Sequence, residues 1–314
     1  MPEFEIQPLE DEHLDAAAAL LEARHSRHRE AEPLLPEISD FRAEIENDLA
    51  QNGAAGVVAF RDDDFVAYLV GRIEDDPLLD EPRGYVDFAG CAASEPEAIR
   101  DLYAALAARW VAAGCVRHAA AIPATDEPLL DPWLRTAFGV QFVWAVRETA
   151  RLKAVGIDAE IRDGTPDDLD AAARFDWMLM DHQTGSPSFS GLKTPSLDHF
   201  REDWSDTWDD PGVYRHFIAE RDGRVVGHAL LYTRPGGGLR VPPKNIDLAH
   251  VVTVPEARRT GVALALTGHV ITWANEHGYR SMTTDWRSNN LLSSRYWPAR
   301  GFRPQFFRLY RRIP

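Results

Sequence analysis

The sequence predicts an α/β protein made of two tandem copies of one unit. First, 314 residues with a hydrophobic content of 45% suffice for two domains of ordinary size, each with its own core. Second, the segment IQPLEDEHLDAAA, which begins at Ile6, is matched by IRDGTPDDLDAAA, which begins at Ile161. Third, residues 57–73 resemble residues 217–233, because both segments read as strand, acidic turn and strand. Self-similarity of this kind indicates a repeated domain.

The spacing between matching residues changes slowly along the chain, as small loop insertions would make it change. The spacing is 155 residues for Ile6 with Ile161 and Leu14 with Leu169, 160 for Arg61 with Arg221, 164 for Gly114 with Gly278 and 162 for Gly139 with Gly301. We therefore expect one domain at residues 1–150 and the other at 159–314, with the boundary in ARLKAVGID at 150–158.

Each unit reads in the order strand, helical segments, hairpin, strand, helix, strand, helix and strand. This order predicts a mixed, mostly antiparallel sheet with helices packed on it. In the second unit a polar stretch at about 181–213 interrupts the early helices with HQTGSPSFSGLKTPS and DWSDTWDDPG. A stretch of this length is either a functional loop region or a partly mobile linker.

The segment from Val251 to Gly278, VVTVPEARRTGVALALTGHVITWANEHG, predicts a strand, a turn and a helix. β-Branched residues form the strand, and Pro255 ends it. From about Arg259 an apolar stripe follows at helical spacing, and Gly278 is a suitable C-terminal cap. The stripe consists of Val262, Leu266, Val270 and Trp273.

The turn RRTGVA therefore lies at a helix N-terminus, where backbone N–H groups lack partners and the helix dipole is positive. Gly261 allows a ligand to approach the backbone, Ala263 is nearly as small, and Arg258 and Arg259 add positive charge. Together these features predict an anion site suited to a pyrophosphate. The alternative for such a short pattern is a solvated arginine pair at an ordinary helix start.

With its context, VPEARRTGVA resembles the acetyl-CoA-binding motif R/Q-x-x-G-x-G/A of the GNAT N-acetyltransferase superfamily. That family has a second motif with an Asn, an aromatic residue seven positions later and Gly-Phe four positions after that. Here Asn290, Trp297 and Gly301-Phe302 have this spacing. The resemblance covers 159–314 and implies two tandem GNAT-like domains. In the first half SEPEAI occupies the place of RRTGVA, so we expect a non-catalytic copy and one acetyl-CoA per chain.

The resemblance also implies roles for individual residues. Backbone groups of the strand before the turn would pair with the pantetheine arm, and the turn would hold the pyrophosphate. Asn290 would contact acetyl-CoA, which serves as co-substrate, with no metal. The strand positions are Val252, Thr253 and Val254; the turn positions are Arg258, Arg259, Thr260, Gly261, Val262 and Ala263. The family's general acid is often a Tyr, whose place is taken here by Trp297, with Tyr296 one residue earlier.

Amine acetylation needs a neutral nucleophile, whereas an alkyl ammonium with a pKa of about 10.4 is mostly protonated at neutral pH. A base on the strand NIDLAHVV could remove the proton, and this strand offers Asp247 and His250. Asp247 is slightly favoured, because a residue three positions further on faces the other side of a regular strand unless a bulge intervenes. A turn aspartate and a satisfied strand histidine are the structural alternatives.

Carboxylates and tryptophans in the early helices of the second unit predict a site for a cationic acceptor. Charge and cation–π contacts could bind such an acceptor. The candidates are Asp176, Asp181, Trp204 and Trp208. The alternative is that the aspartates cap helices and the tryptophans belong to the core, since residues four apart share a helix face.

A net charge of −16 argues against nucleic acid or an anionic membrane as the main partner and leaves a small-molecule amine open. Cys91 and Cys115 are expected to be buried thiols, and no secretory leader or membrane span is apparent. We expect a soluble, cytoplasmic monomer or homodimer. The main hypothesis is an N-acetyltransferase. The alternatives are a non-catalytic acyl-CoA-binding or regulatory protein and, less favoured, an interaction scaffold.

Overall fold

The structure is a computed structural model that describes residues 4–76, 81–234 and 237–314, and the chain divides into two compact units. The first unit comprises the described residues up to Trp144, together with Gly237–Val241 and Pro304–Pro314. The second unit comprises the described residues between Ala145 and Pro304 that lie outside Gly237–Val241. No helix among the described residues is long and apolar enough to cross a bilayer.

The first unit is a mixed sheet with helices packed on it. Its elements are β1 Glu5–Pro8, α1 Leu14–Ala31, α2 Phe41–Leu49, β2 Ala55–Arg61, β3 Asp64–Asp76, β4 Glu81–Val86, β5 Cys91–Ala93, α3 Ala98–Ala112, β6 Arg117–Pro123, α4 Glu127–Arg135 and the start of β7 Gly139–Glu148. The strand order is β1-β2-β3-β4-β6, with β5 also on β3. The β2–β3 turn places Asp62 and Asp63 at φ of 49° and 71°, the left-handed conformation that tight hairpins need.

The core of this unit contains a cluster of aromatic residues. Trp133 is 1% exposed and packs edge-on against Phe138, with Tyr103 also in contact. Cys91 and Cys115 are free thiols, and both are buried as the sequence predicts.

The second unit repeats this order of elements, with one difference. Its elements are β8 Glu160–Asp163, α5 Leu169–Thr184, α6 Leu197–Ser205, β9 Tyr214–Arg221, β10 Arg224–Tyr232, β11 Asn245–Thr253, α7 Val262–Glu276, β12 Ser281–Arg287, α8 Ser293–Tyr296 and the start of β13 Arg303–Arg312. The single strand β11 stands where the first unit has β4 and β5. The strand order is β12-β11-β10-β9-β8. The predicted stripe of α7 packs on the sheet, because Val262, Leu266 and Val270 are all 0% exposed. Helices α5 and α6 cover the opposite face.

Strand register supports the internal repeat. In the first unit Tyr68 lies opposite Ala92, and in the second His228 lies opposite Val252. Both residues of the second pair stand 160 positions after those of the first. The same offset relates every other register pair of β3–β5 to a pair of β10–β11. The predicted fold class, two α/β units with mixed sheets flanked by helices, is therefore confirmed.

The domain boundaries differ from the expected 1–150 and 159–314. The chain passes from the first unit to the second inside β7, between Trp144 and Ala145, and the last strand returns to the first unit. There β13 pairs antiparallel with β6, from Phe306 opposite Pro123 to Arg312 opposite Arg117. Phe306 and Leu309 are fully buried in that unit. The amphipathic pattern of a strand shows that it pairs, but not with which strand it pairs.

Candidate active site

A cleft opens in the second unit where two parallel strands separate. β11 pairs with β12 over Asn245–Asp247, opposite Ser281–Thr283. Beyond Asp247, the described residues of β11 form no further ladder pair with β12 and instead wall a cavity of about 540 Å³. This size suits a small-molecule site. The lining residues are Met178, Leu179, His182, Val251, Val252, Thr253, Ala257, Arg258, Arg259, Gly261, Ala263, Leu264, Asn290, Leu292, Ser293, Tyr296 and Trp297.

The basic glycine turn forms part of the cavity wall. It runs from the end of β11 at Thr253 to the start of α7 at Val262, and Arg259 and Gly261 have φ of 64° and 92°. The first N–H groups of α7 have no carbonyl one turn earlier in the helix, and the dipole makes this end positive. Both arginines line the cavity beside these groups. The turn thus has the properties of an anion site.

Gly261 is the position at which a side chain would obstruct the turn. A Cβ atom there would lie 3.1 Å from Cγ2 of Ile157, and its φ of 92° is strained for any residue with a side chain. Glycine therefore leaves the backbone of the turn open to the cavity. This cradle fits a pyrophosphate such as that of acetyl-CoA.

Three of the predicted contact positions do not line the cavity. The N–H of Val254 donates to Val226 O, and its carbonyl accepts from Ala257 N, so both backbone groups are bonded within the protein. Thr260 donates its hydroxyl to Ala257 O, and the Val262 side chain is fully buried under the helix. Val251, which was not among the positions predicted from the sequence, lines the cavity in place of Val254.

The residues of the second motif form another wall. Asn290 is 5% exposed, and its Oδ1 accepts from Leu292 N at 3.1 Å, so it organises the start of α8. Trp297 is equally buried and packs edge-on against Phe302 at 5.3 Å between ring centroids. An indole has no proton to give at neutral pH. Trp297 therefore shapes the wall and does not replace the tyrosine acid of the family.

Tyr296 is held against α7. Its hydroxyl lies 2.9 Å from Ala263 O and 2.8 Å from Thr267 Oγ1, and burial raises its pKa above the usual value. A phenol of raised pKa is a weaker acid than a thiol with a pKa of about 8.5. The bonds of its hydroxyl to α7 and its raised pKa both argue against Tyr296 as a general acid. Tyr296 does line the cavity.

A β-bulge brings the two candidate bases to one face of the sheet. Leu230 lies opposite His250 and Leu231 opposite Leu248, so Ala249 is the extra residue. Tyr232 lies opposite Asp247, and residues 230 and 232 of β10 point to the same face of the sheet. The residues opposite them, His250 and Asp247, therefore point to that same face. The bulge thus reverses the orientation that a regular strand would give His250 relative to Asp247.

Asp247 is held by two partners. Its Oδ1 accepts from Thr283 Oγ1 at 2.6 Å, and its Oδ2 lies 3.2 Å from Nε of Arg234. The side chain is 4% exposed. To accept a proton, the carboxylate would have to give up its ion pair with Arg234. The slight preference for Asp247 over His250 therefore loses its support.

His250 is buried beside the cavity-lining Val251, and its Nε2 lies 3.0 Å from Nδ1 of His228. Trp204 packs edge-on against it at 5.7 Å. Burial lowers the pKa of His250 to about 4, so the ring is neutral at physiological pH. A neutral imidazole in this position can accept a proton.

The four predicted acceptor-binding residues separate into three environments. Asp176 accepts from Nε1 of Trp204 at 3.2 Å, and burial raises its pKa to about 6. Trp208 stacks on His216 at 3.7 Å between ring centroids, in space left by Gly164. Asp181 is exposed on the last turn of α5. The grouping of Asp176 with Trp204 is thus retained, and Asp181 is not part of it.

Sequence reasoning missed His216 and His228, which lie on the same face as His250. The Asp222-Gly223 turn alone would place His216 opposite Ala229, but the register shifts by one residue at Val226, so His216 faces Leu230 and His228 faces Ile218. Residues two apart on β10 share a face, so the two histidines are diagonal neighbours. A regular hairpin register would have put the two histidines on opposite faces, so the sequence carried no signal for this pair.

The first unit has no equivalent of the glycine turn. Only residues 94–97 connect β5 to α3, whereas residues 254–261 connect β11 to α7. Glu95 pairs with Arg61 at 2.7 Å, and Glu97 pairs with Arg100 at 2.7 Å. In addition, the buried guanidinium of Arg24 donates to the carbonyls of Phe88 and Cys91. That the first unit binds no acetyl-CoA stays a prediction, which this shorter turn supports.

Known proteins share this architecture. A GCN5-related N-acetyltransferase from Sphaerobacter thermophilus is similar at 15% identity and a TM-score of 0.62, covering 100% of this chain and 96% of that one. A tandem GNAT protein from the clavulanic acid biosynthesis pathway is similar at 13% identity and a TM-score of 0.51, covering 98% and 97%. At these identities the likeness concerns the fold. No curated protein matches the sequence.

The part of the sequence that forms the cleft matches a family model. The acetyltransferase (GNAT) family model matches residues 177–302, which include the glycine turn, β11 and the second motif. This family uses acetyl-CoA for acyl transfer. Residues 177–302 thus match the GNAT acetyltransferase family, in a chain that shares its fold with a tandem GNAT protein.

Proposed function

We propose that the second unit transfers the acetyl group of acetyl-CoA to a primary amine of a small molecule by direct attack within a ternary complex. One observation carries this proposal: a single cavity joins the anion-binding turn at Gly261 to the strand edge at Val251, and the buried neutral base His250 directly precedes Val251 on β11.

Residues of this chain would hold acetyl-CoA at its two ends. The side chains of Arg258 and Arg259 and the first N–H groups of α7 would bind the pyrophosphate. The open edge of Val251–Thr253 would bind the pantetheine arm as an added strand does. When bound, acetyl-CoA supplies an acetyl group activated as a thioester. N–H groups of β11 are available to stabilise negative charge that develops on the carbonyl oxygen.

His250 would take the proton that the attacking nitrogen loses. Because its pKa is lowered to about 4, His250 is unprotonated at neutral pH and cannot remove a proton from an ammonium group in advance of the reaction. The amine must therefore enter in its neutral form, and His250 acts as the nitrogen becomes acidic during attack. Asp176 and Trp204, on the helices above His250, are proposed to contact the acceptor. The net charge of −16 is consistent with an acceptor amine that is cationic in solution and loses its proton before the attack.

Thiol release from acetyl-CoA tests the reaction. We expect the full chain to release thiol only when a primary amine is present, in a panel of aliphatic amines, amino sugars and aromatic ethylamines. Each product should gain one acetyl group by mass spectrometry. Binding of acetyl-CoA without thiol release across the whole panel would instead support a non-catalytic acyl-CoA-binding protein.

The pH dependence of kcat/KM tests the assignment of the base. The acceptor for this test is an aromatic amine whose own pKa lies well below that of His250, because it then stays unprotonated over the whole pH range measured. We expect kcat/KM to stay level as pH falls from neutral and to decline near pH 4, where His250 becomes protonated. A decline near pH 6 that Asp176→Asn removes would assign the base to Asp176. A decline at about 6.5, the usual value for histidine, would contradict the buried environment of His250.

A further inference from the structure

Three histidines form a hydrogen-bonded chain across the second unit's sheet. Nε2 of His250 lies 3.0 Å from Nδ1 of His228, and Nε2 of His228 lies 3.1 Å from Nδ1 of His216. Nε2 of His216 then lies 3.1 Å from Oγ1 of Thr207. All three rings are at most 6% exposed, and Trp204 contacts each of them edge-on.

The bonds of Thr207 favour one placement of the proton on each ring. A threonine hydroxyl has one hydrogen, which Oγ1 donates to the carbonyl of Trp204 at 2.7 Å. Oγ1 therefore accepts from Nε2–H of His216, and Nδ1 of His216 is left as an acceptor.

The donor and acceptor roles of the other two rings follow from this one. Because Nδ1 of His216 accepts, Nε2 of His228 must donate, and Nδ1 of His228 must accept from Nε2–H of His250. A neutral imidazole has one N–H, so Nδ1 of His250 carries a lone pair. No residue in the described part of the chain bonds to that nitrogen.

We propose that His228 and His216 are positioning residues that hold His250 with Nδ1 as the proton acceptor and share the proton it takes up. This inference rests on the proposed acetyl transfer, because it assigns the chain to the base of that reaction.

The proton movement balances without a further reactant. Nδ1 of His250 gains a proton from the attacking nitrogen, and its Nε2 proton moves to Nδ1 of His228. The Nε2 proton of His228 then moves to Nδ1 of His216, which becomes an imidazolium with its Nε2–H still bonded to Thr207. The two shared protons later return to their original nitrogens, and the added proton passes from Nδ1 of His250 to the sulfur of the departing CoA thiolate, which leaves as the thiol.

Burial lowers the pKa of both His216 and His250 to about 4, but His216 has two neighbours that stabilise a positive charge on its ring. Trp208 stacks on His216 with an interplanar angle of 16°, a geometry that suits a cation on an aromatic face. Asp168, which is itself paired with Arg162, raises the pKa of His216 against the lowering by burial and by His250.

No carboxylate raises the pKa of His250 in this way. The charged groups on its face of the sheet are Asp247, which is paired with Arg234, and Asp176, which is bonded to Trp204.

The first unit provides an internal comparison. At the repeat offset of 160, Gly56, Tyr68 and Gly90 occupy the positions of His216, His228 and His250. The copy without a glycine turn thus lacks all three histidines. The histidine chain and the anion-binding turn occur together in the second unit, as expected if they serve one site.

NMR of the full chain with ¹⁵N-labelled histidine tests the tautomers without any ligand. Long-range ¹H–¹⁵N correlations distinguish a ring nitrogen with a proton from one with a lone pair. We expect a lone pair on Nδ1 of His250 and protons on Nε2 of all three rings. As pH is lowered toward about 4, the three rings should titrate together, because they share one proton. A proton on Nδ1 of His250 at neutral pH would overturn the proposal.

Two substitutions at His228 separate tautomer control from proton sharing. In His228→Asn, the amide oxygen can replace Nδ1 as acceptor for His250, so its tautomer should persist while the link to His216 is lost. In His228→Gln, the amide can replace Nε2 toward His216 but leaves Nε2 of His250 without its acceptor. We expect mixed tautomers at His250 and a kcat lower by on the order of 100-fold in His228→Gln, with a smaller loss in His228→Asn.

Coupled titration that survives in His228→Asn, together with an unchanged kcat, would refute proton sharing. If a variant does not fold, as judged by thermal unfolding, the wild-type spectra still decide the tautomers. If no amine is acetylated, the proposed reaction fails, yet the spectra test the histidine chain independently of it.

Discussion

Replacing Gly261 by glutamate should abolish acetyl-CoA binding by the full chain. The Cβ atom would lie 3.1 Å from Ile157 Cγ2 at a φ of 92°, and the carboxylate would lie where the pyrophosphate is expected. Steric obstruction and charge repulsion therefore act together at the positive end of α7. Isothermal titration with acetyl-CoA should show about one site per wild-type chain, since one of the two units has the turn, and no heat of binding for the variant.

Gly278→Glu is the matched control for this experiment. Gly278 lies at the other end of α7 with a φ of 83°, and a Cβ atom added there would meet no described atom within 4 Å. The same side chain should cost a similar backbone strain of about 1 kcal/mol there without affecting acetyl-CoA. Equal loss of binding in both variants, or normal binding by Gly261→Glu, would show that the turn does not hold the pyrophosphate.

His250→Gln should lower kcat by about 100- to 10,000-fold, the range for loss of a positioned general base. Glutamine is similar in length, and its amide can donate to His228 as Nε2 does, but it cannot accept a proton. Because His250 does not line the anion-binding turn, the affinity for acetyl-CoA should not change. Steady-state thiol release and isothermal titration measure the two quantities separately.

Asp247→Asn distinguishes the two candidate bases. The carboxylate is bonded to Thr283 and Arg234, so its neutralisation should mainly lower the thermal unfolding midpoint and leave kcat near that of the wild type. A large loss of kcat in Asp247→Asn combined with a small loss in His250→Gln would reverse the assignment. Comparable losses in both would indicate that the two groups act together on one face of β11.

Local sequence patterns were sufficient for the elements of the cleft. The apolar stripe of α7 has the spacing of a helix face, and its members Val262, Leu266 and Val270 are buried as that spacing requires. The turn at Gly261 can be predicted because the sequence shows a strand that ends before Pro255 and a helix that begins three residues after Arg259. Such features depend on residues that are close together in the chain, so they can be recognised in the amino-acid sequence.

Contacts between distant segments could not be found in the same way. The bulge at Ala249 exists because β11 must match β10, and it alone turns His250 to the face of Asp247. The bonds of Asp247 with Thr283 and Arg234 depend on two other segments, and they removed the reason to favour this residue as the base.

The sequence by itself determined the repeat, the fold class and the position of the anion-binding turn, because periodicity and spacing along the chain carry that information. Only the tertiary structure decided which strand β13 joins, which candidate base can accept a proton, and that His216, His228 and His250 form one chain. The physical reason is that each of these depends on strand register. Register is set by pairing between segments far apart in sequence, and a shift of one residue moves every side chain to the opposite face.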